Sequence, residues 1–384
     1  MFQSFKRAWS SAAFPGEVID LESVRELADE FSNAVLVSRD GRVSYVLKDA
    51  PDALASLRGE LARSYATVLG EDEVTDPNRR RVLEIEQTFC HDALITAVLR
   101  LDAVLGSYVL LCEYIWMSRV LPLLPESVSK IIDTHDVFST KKDKVLRFGV
   151  DDICLSSAEE ASFLERADLV IAIQEHERTE LQRLVPTKPV VTAGVDFDIV
   201  AEPGTPAGRG VLYVASDNAI NRRALQDFLR FAWPTIRAAA PDAELFVAGR
   251  IGSTIAVDTA GVTYTGPVED LAPLYQRARL VINPAVAGTG LKIKTLEAIG
   301  HLRPVVTFPS GAEGLPPKLA SSCVLVSDWY DFARKVVELL GADVPPIISA
   351  LERETLDRLM SPTVVYADLL KAVAAVQQSK GLSE

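Results

Sequence analysis

From Gly210 onward, short runs that are apolar at every position alternate with stretches in which apolar residues recur every three or four positions. A run apolar throughout is a strand covered on both faces, and the helical stretches between supply the cover, so the pattern predicts a helix-wrapped parallel sheet. The predicted strands are Val211–Ala215, Leu245–Ala248, Val262–Thr265, Leu280–Asn283, Pro304–Thr307 and Cys323–Val326. Helices are expected from about Asn221 to Ala239, through Leu271 and Tyr275, from Leu291 to Ile299 and from Asp328 to Leu340. Residues 210–345 thus read as a Rossmann-like, doubly wound domain.

The first half repeats the pattern less completely. Tyr108–Cys112, Lys130–Asp133, Leu169–Ile173 and Val190–Thr192 read as parallel strands, with helices over Ser156–Arg166 and Glu175–Leu184. They define an N-terminal Rossmann-like domain over residues 1–195, whose first hundred residues are atypical. Ala34-Val-Leu-Val-Ser38 and Val43-Ser-Tyr-Val-Leu47 flank Asp40-Gly41, a hairpin signature rather than a strand–helix–strand unit. Pro and Gly crowd residues 196–209, the expected linker. Residues 346–384 are expected to be helices that pack back on the N-terminal domain.

Composition narrows the function. With 48% hydrophobic and 24% charged residues among 384, a largely disordered chain is excluded. A formal net charge of -13 argues against nucleic acid as a partner, because neutralising phosphates needs a basic face. Cys90, Cys112, Cys154 and Cys323 have no paired spacing, which fits neither a zinc site nor a disulfide framework and points to a reducing, cytoplasmic setting. Phe2, Phe5 and Trp9 share one helical face, a candidate for weak contact with the inner membrane surface or for docking on the protein's own core.

The segment richest in chemistry runs from Asn283 to Glu297. A buried strand ends, a turn with Gly288 and Gly290 follows, and a helix begins at once. That order presents unpaired backbone N–H groups and the positive helix end at the carboxyl edge of the sheet, where anions bind. Lys292 and Lys294 place positive charge in a first turn, against the helix dipole, a cost that phosphate binding would offset. Glu297, one turn beyond Lys294, could accept hydrogen bonds from a ribose diol. A plain glycine turn with solvated lysines and an i,i+3 ion pair is the alternative. No GxGxxG follows an early strand, which counts against a nicotinamide oxidoreductase.

The run from Gly288 to Ala298, then Gly300, Pro304–Thr307 and Gly311–Leu315, resembles the retaining GT-B glycosyltransferases of the family 4 type. In the first half, Glu113–Met117, Asp133-Thr-His-Asp136, Arg166-Ala-Asp168 and Ile173 match as well, so the resemblance covers about residues 105–340. It implies an α/β protein with two Rossmann-like domains facing a cleft, the C-terminal one holding a UDP- or GDP-linked sugar and the N-terminal one the acceptor. It also implies retention at the anomeric carbon and no metal or cofactor, with lysines and helix-end N–H groups stabilising the departing diphosphate. Carried over by position, Glu297 holds the ribose, Gly288 and Gly290 cradle the diphosphate, and Lys292 and Lys294 lie beside it. Thr289 stands where the family has a first glutamate that meets the donor sugar.

The loop Ser216–Arg223 lacks the family's usual Arg and Lys; Arg222 or Arg223 is the candidate replacement, and Asn221 the expected helix cap. Gly249 and Arg250, with Thr265 and Gly266, are expected near the base. His135 follows a buried strand and so reaches a carboxyl edge, where the resemblance implies contact with the transferred sugar and acceptor. Otherwise it is satisfied within its own turn by Asp133 and Asp136. His91, His176 and His301 read as surface residues. Residues 1–50 show no glycine-rich loop of the kind with which such enzymes usually begin. The leading expectation is transfer of a sugar from a nucleotide-sugar to a glycan, lipid-linked or small-molecule acceptor; the alternative is a degenerate GT-B protein that binds without turnover.

Overall fold

The computed structural model describes residues 35–37, 43–45, 51–105, 108–145, 153–201, 206, 208–255, 258–287, 290–342 and 350–381. The apolar face of Phe2, Phe5 and Trp9 lies outside them. Val35–Val37 (β1) and Val43–Tyr45 (β2) pair antiparallel, as the Asp40-Gly41 step predicts. Three helices that the sequence pattern did not reveal come next: Pro51–Leu69 (α1), Pro77–Phe89 (α2) and Asp92–Leu105 (α3). The start of α2 is locally encoded, since Asp76 Oδ1 accepts from the Arg79 N–H at 2.9 Å and Pro77 fills the first helical position.

These helices are tied to the rest by Arg119, which lies in the 3-10 stretch Ile115–Leu123. Its Nε and Nη2 donate to the two carboxylate oxygens of Glu71 at 2.6 and 2.8 Å, while Nη1 donates to Asp92 and to the Cys90 carbonyl, both at 2.8 Å. The Arg119 and Glu71 side chains are only 3% and 7% exposed, so this fork is a buried ion pair held by two parallel hydrogen bonds.

The N-terminal sheet consists of Val109–Glu113 (β3), Ser129–Asp133 (β4), Leu169–Ala172 (β5) and Val190–Thr192 (β6), all parallel and in chain order. Phe138–Val145 (α4), Ser157–Leu164 (α5) and Glu175–Leu184 (α6) lie between the strands. The C-terminal sheet comprises Gly210–Val214 (β7), Glu244–Ala248 (β8), Val262–Gly266 (β9), Ala278–Asn283 (β10), Val305–Thr307 (β11) and Cys323–Leu325 (β12). Its order is β12-β11-β10-β7-β8-β9 and all pairs are parallel. The expected helix over Asn221–Ala239 is instead two, Ala219–Phe231 (α7) and Trp233–Ala239 (α8). Pro234 lacks the N–H that would continue the ladder, so the chain bends at Ala232. The remaining helices of this domain are Ala272–Arg277 (α9), Ile293–Gly300 (α10), Pro317–Ala320 (α11) and Trp329–Gly341 (α12).

The last three helices, Ala350–Leu359 (α13), Pro362–Val365 (α14) and Ala367–Ser379 (α15), cross between the domains. Leu356 and Met360 pack with Leu296 and Ile299 of the C-terminal domain. Tyr366, Leu369, Val373 and Val376 cover Ile131, Leu169 and Ile171 on one face of the N-terminal sheet. Among the described residues no helix is long and apolar enough to cross a membrane.

Truncating Arg119 should strand the buried Glu71 carboxylate. Arg119→Ala is therefore expected to cost about 3–5 kcal/mol, read as a lowered urea midpoint with unchanged slope.

Candidate functional site

In the C-terminal sheet β7 and β10 are neighbours whose following helices leave in opposite directions, which opens a crevice at their carboxyl ends. Both banks carry polar groups. On the β7 side, Asn218 rather than Asn221 caps α7: its Oδ1 accepts from the Asn221 N–H at 2.8 Å. Asn221, one turn in, is released for another task. Its Nδ2 donates to the Ser216 carbonyl at 3.0 Å, and its Oδ1 accepts from Lys294 Nζ at 2.7 Å. The ammonium also lies 5.1 Å from the centre of the buried Tyr213 ring. Burial, helped by the nearby Lys292, pushes Lys294 down to about 7.

On the β10 side, Lys292 precedes α10 and donates to the Gly290 carbonyl at 2.8 Å. Gly290 has φ +71°, and a Cβ there would lie 3.0 Å from the His135 carbonyl oxygen of the other domain. Gly288 and Thr289 lie outside the described residues. Glu297 is half-buried, and burial raises its pKa, with the Tyr275 hydroxyl beside it acting in the opposite sense. Under α10, Thr295 Oγ1 donates to the Gly311 carbonyl at 2.8 Å and accepts from Asn283 Nδ2 at 3.0 Å, which locks the helix start onto the end of β10.

Two expected contributors are engaged elsewhere. Arg222 pairs with Asp217 at 2.7 Å, and Asp217 is itself held by Thr254. Arg223 pairs with Asp227 along α7. Gly249 is demanded by backbone packing: at φ +104° a Cβ would lie 2.2 Å from the Ala215 carbonyl oxygen. It lets the chain leaving β8 lie close against the end of β7. Gly266 also has a positive φ, +70°, but into open space.

The N-terminal domain presents its own carboxyl edge. His135, at φ +57°, brings Nε2 to 3.5 Å from Glu113 and 3.6 Å from Asp133. Asp136, the expected partner, instead faces Lys141 at 3.3 Å. Burial tends to lower the His135 pKa, but the two carboxylates outweigh it and the imidazole is held above its ordinary value. Burial also lifts Asp133 to about 6. The half-exposed Tyr114, another non-glycine residue at positive φ, stacks on the imidazole with ring centres 4.4 Å apart. Two adjoining strained residues at strand ends are the kind of local cost that functional sites retain. Of the other histidines, His91 and His176 are exposed, whereas His301 is half-buried and stacked on Tyr275 at 4.0 Å.

Two residues join the domains that sequence reasoning missed. Glu177, in the first turn of α6 and 2% exposed, accepts from the Gly290 N–H at 2.9 Å and from Gln174 Nε2 at 2.8 Å. Burial raises its carboxyl to about 7. Gln174 lies flat on Gly314, where a Cβ would fall 1.3 Å from its Oε1. The only local signal was an acid in a first helical turn, a common capping choice. Among the described residues no three His, Cys, Asp or Glu side chains converge as metal ligands.

Residues 208–342 match the family model described as glycosyl transferases group 1. No curated protein sequence matches the chain. Solved structures of similar fold include sucrose-phosphate synthase from Thermosynechococcus elongatus, 17% identical with a TM-score of 0.57, over 75% of this chain and 78% of that one. Staphylococcus aureus TarM, with UDP, fondaparinux and alpha-GlcNAc-glycerol, is 13% identical with a TM-score of 0.55, over 73% of this chain and 59% of that one. The pneumococcal O-GlcNAc transferase GtfA, with UDP and GlcNAc, is 12% identical with a TM-score of 0.54, over 73% and 60%. The chain thus aligns over about three fifths of the length of TarM and GtfA. Two Rossmann-like domains, each opposing its carboxyl edge to the other, constitute the GT-B architecture.

Gly249→Ala should cost about 3 kcal/mol or more, because the new Cβ meets fixed backbone as well as strain. Gly266→Ala, strained but uncrowded, should cost only about 1–2 kcal/mol. Paired denaturant melts check the contrast; equal losses would mean that strain alone, not the Ala215 contact, fixes Gly249.

Proposed function

We propose that the chain transfers a sugar, with retention and without a metal or cofactor, from a UDP- or GDP-linked donor to a glycan, lipid-linked or small-molecule acceptor. The observation that carries this reading is Lys294: an amine held by Asn221 over the Tyr213 ring at the β7–β10 crevice, its pKa depressed by burial. A half-buried ammonium next to another lysine is costly in the protein alone, and a diphosphate is the partner that would reward it. The group 1 family match over residues 208–342 and the UDP-bound similar structures support the same assignment.

In this reading Lys292 and Lys294 neutralise the diphosphate, and Glu297 accepts the ribose hydroxyls. The acceptor hydroxyl oxygen bonds to the anomeric carbon as the bond from that carbon to the β-phosphate oxygen breaks, and the hydroxyl proton ends on the departing phosphate. Growing negative charge on that phosphate strengthens its pull on Lys294 toward the transition state. His135, stiffened by Tyr114 and flanked by Glu113 and Asp133, donates to a hydroxyl of the transferred sugar. Residues 1–195 form the acceptor side, with 196–209 as the linker and helices α13–α15 strapping the two domains. The four cysteines, scattered with no paired spacing in the sequence, fit the cytoplasm, and the N-terminal Phe2, Phe5 and Trp9 a weak hold on the inner membrane face.

Titration with UDP, GDP and their sugars tests the nucleotide site. Glu297→Ala should weaken binding by roughly 1.5–3 kcal/mol, the value of a hydrogen bond to a charged group; unchanged affinity in a folded variant removes Glu297 from the ribose.

His135→Ala should keep nucleotide affinity and melting temperature yet lose at least about a hundredfold in kcat over a donor panel. His135→Gln should recover part of that loss if donation is its role and none if proton transfer is. Normal turnover in the alanine variant would place His135 outside the chemistry.

A further inference from the structure

Between the two domains the structure leaves two buried acceptors without a donor. Glu177 Oε1 is occupied by the Gly290 N–H and by Gln174 Nε2, but Glu177 Oε2 has no hydrogen-bond partner among the described residues. Gln174 Oε1, against Gly314, has none either. Gln174 and Glu177 are 6% and 2% exposed, so bulk water does not satisfy them. Each such orphan costs about 1–3 kcal/mol, and two on adjacent side chains are hard to retain unless something donates there.

The chemistry of that donor follows from the atoms present. A phosphate fits poorly, since it brings acceptor oxygens and negative charge to two oxygens that lack a donor. A ligand ammonium would be attracted, but Lys292 already contributes positive potential at Glu177. A neutral group rich in O–H or amide N–H donors fits both oxygens. The partners on the C-terminal side are Gly290, next to the helix start that carries Lys292 and Lys294, and Gly314. A group tethered to a diphosphate at those lysines would therefore be delivered to this pair.

We propose that Gln174 and Glu177 form a hydroxyl-binding subsite through which the N-terminal domain recognises the sugar part of the donor, not its nucleotide. The inference rests on the nucleotide-sugar reading above. Because the pair is enclosed by Gly290 and Gly314, the sugar reaches it when the domains part, and it displaces the Gly290 N–H from Glu177 or adds to it. The two residues are binding and specificity residues; nothing in the site requires them to exchange protons with the reacting atoms.

The test is calorimetric titration of the full chain with UDP, GDP, UDP-glucose, UDP-GlcNAc and GDP-mannose, comparing each sugar nucleotide with its parent nucleotide. In Glu177→Ala and Gln174→Ala the ratio of sugar-nucleotide to nucleotide affinity should fall about tenfold or more, while nucleotide affinity stays within about twofold. Glu177→Gln, which keeps shape and one acceptor, should lose less of the ratio and hold the wild-type melting temperature. If the variants weaken nucleotide and sugar nucleotide alike, the pair is an interdomain strut and the proposal falls. It falls equally if the ratio does not move, an enclosed water then being the donor. A wild-type chain that binds nucleotides but gains nothing from any attached sugar overturns this inference alone. One that binds no nucleotide in the panel overturns the proposed function, and this inference with it.

Discussion

The Gly290 N–H donated to the Glu177 carboxylate joins the carboxyl edges of two separate sheets through one hydrogen bond, and the residues of both domains that bear on function gather around it. It exists only because Gly290 has no side chain: the His135 carbonyl oxygen would be 3.0 Å from a Cβ. Gly314 repeats the arrangement, lying against Gln174. Where glycine backbone meets a buried polar side chain, the two domains approach more closely than any pair of side chains would allow. The α13–α15 helices reinforce this closeness by packing first on one domain and then on the other.

Burial in that cleft moves several charges toward neutrality. Lys294 is pushed down to about 7, while Glu177 and Asp133 are lifted to about 7 and about 6. A depressed lysine withdraws stability as pH falls through its folded value, and raised carboxyls withdraw it as pH rises through theirs. These groups therefore oppose one another across the neutral range, and the cleft by itself is a strained electrostatic compromise. A ligand with an anionic end and a hydroxylated end would relieve both sides. Perturbed groups gathered in a crevice are candidates for a functional site.

Strand identity was legible in the sequence because burial on both faces leaves a local mark: runs such as Leu280–Asn283 are apolar at nearly every position. The same holds for the strand–turn–helix order that puts Lys292 and Lys294 at a carboxyl edge, since one sheet direction decides it. The helices α1–α3 were not legible, because their packing is completed by distant partners such as Arg119, 48 positions from Glu71.

What the chain alone determined is the set of parallel strands, the carboxyl-edge turn and the identities of Lys294, Glu297 and His135 as candidates, all consequences of neighbours within a few residues. Tertiary structure decided the rest. It moved the cap from Asn221 to Asn218 and gave Asn221 to Lys294, 73 positions away. It also turned His135 toward Glu113 and Asp133, and carried Glu177 to Gly290 across 113 positions. An acid in a first helical turn has the same sequence whether it faces solvent or another domain. Only the packing of the two sheets, edge to edge, distinguishes the two.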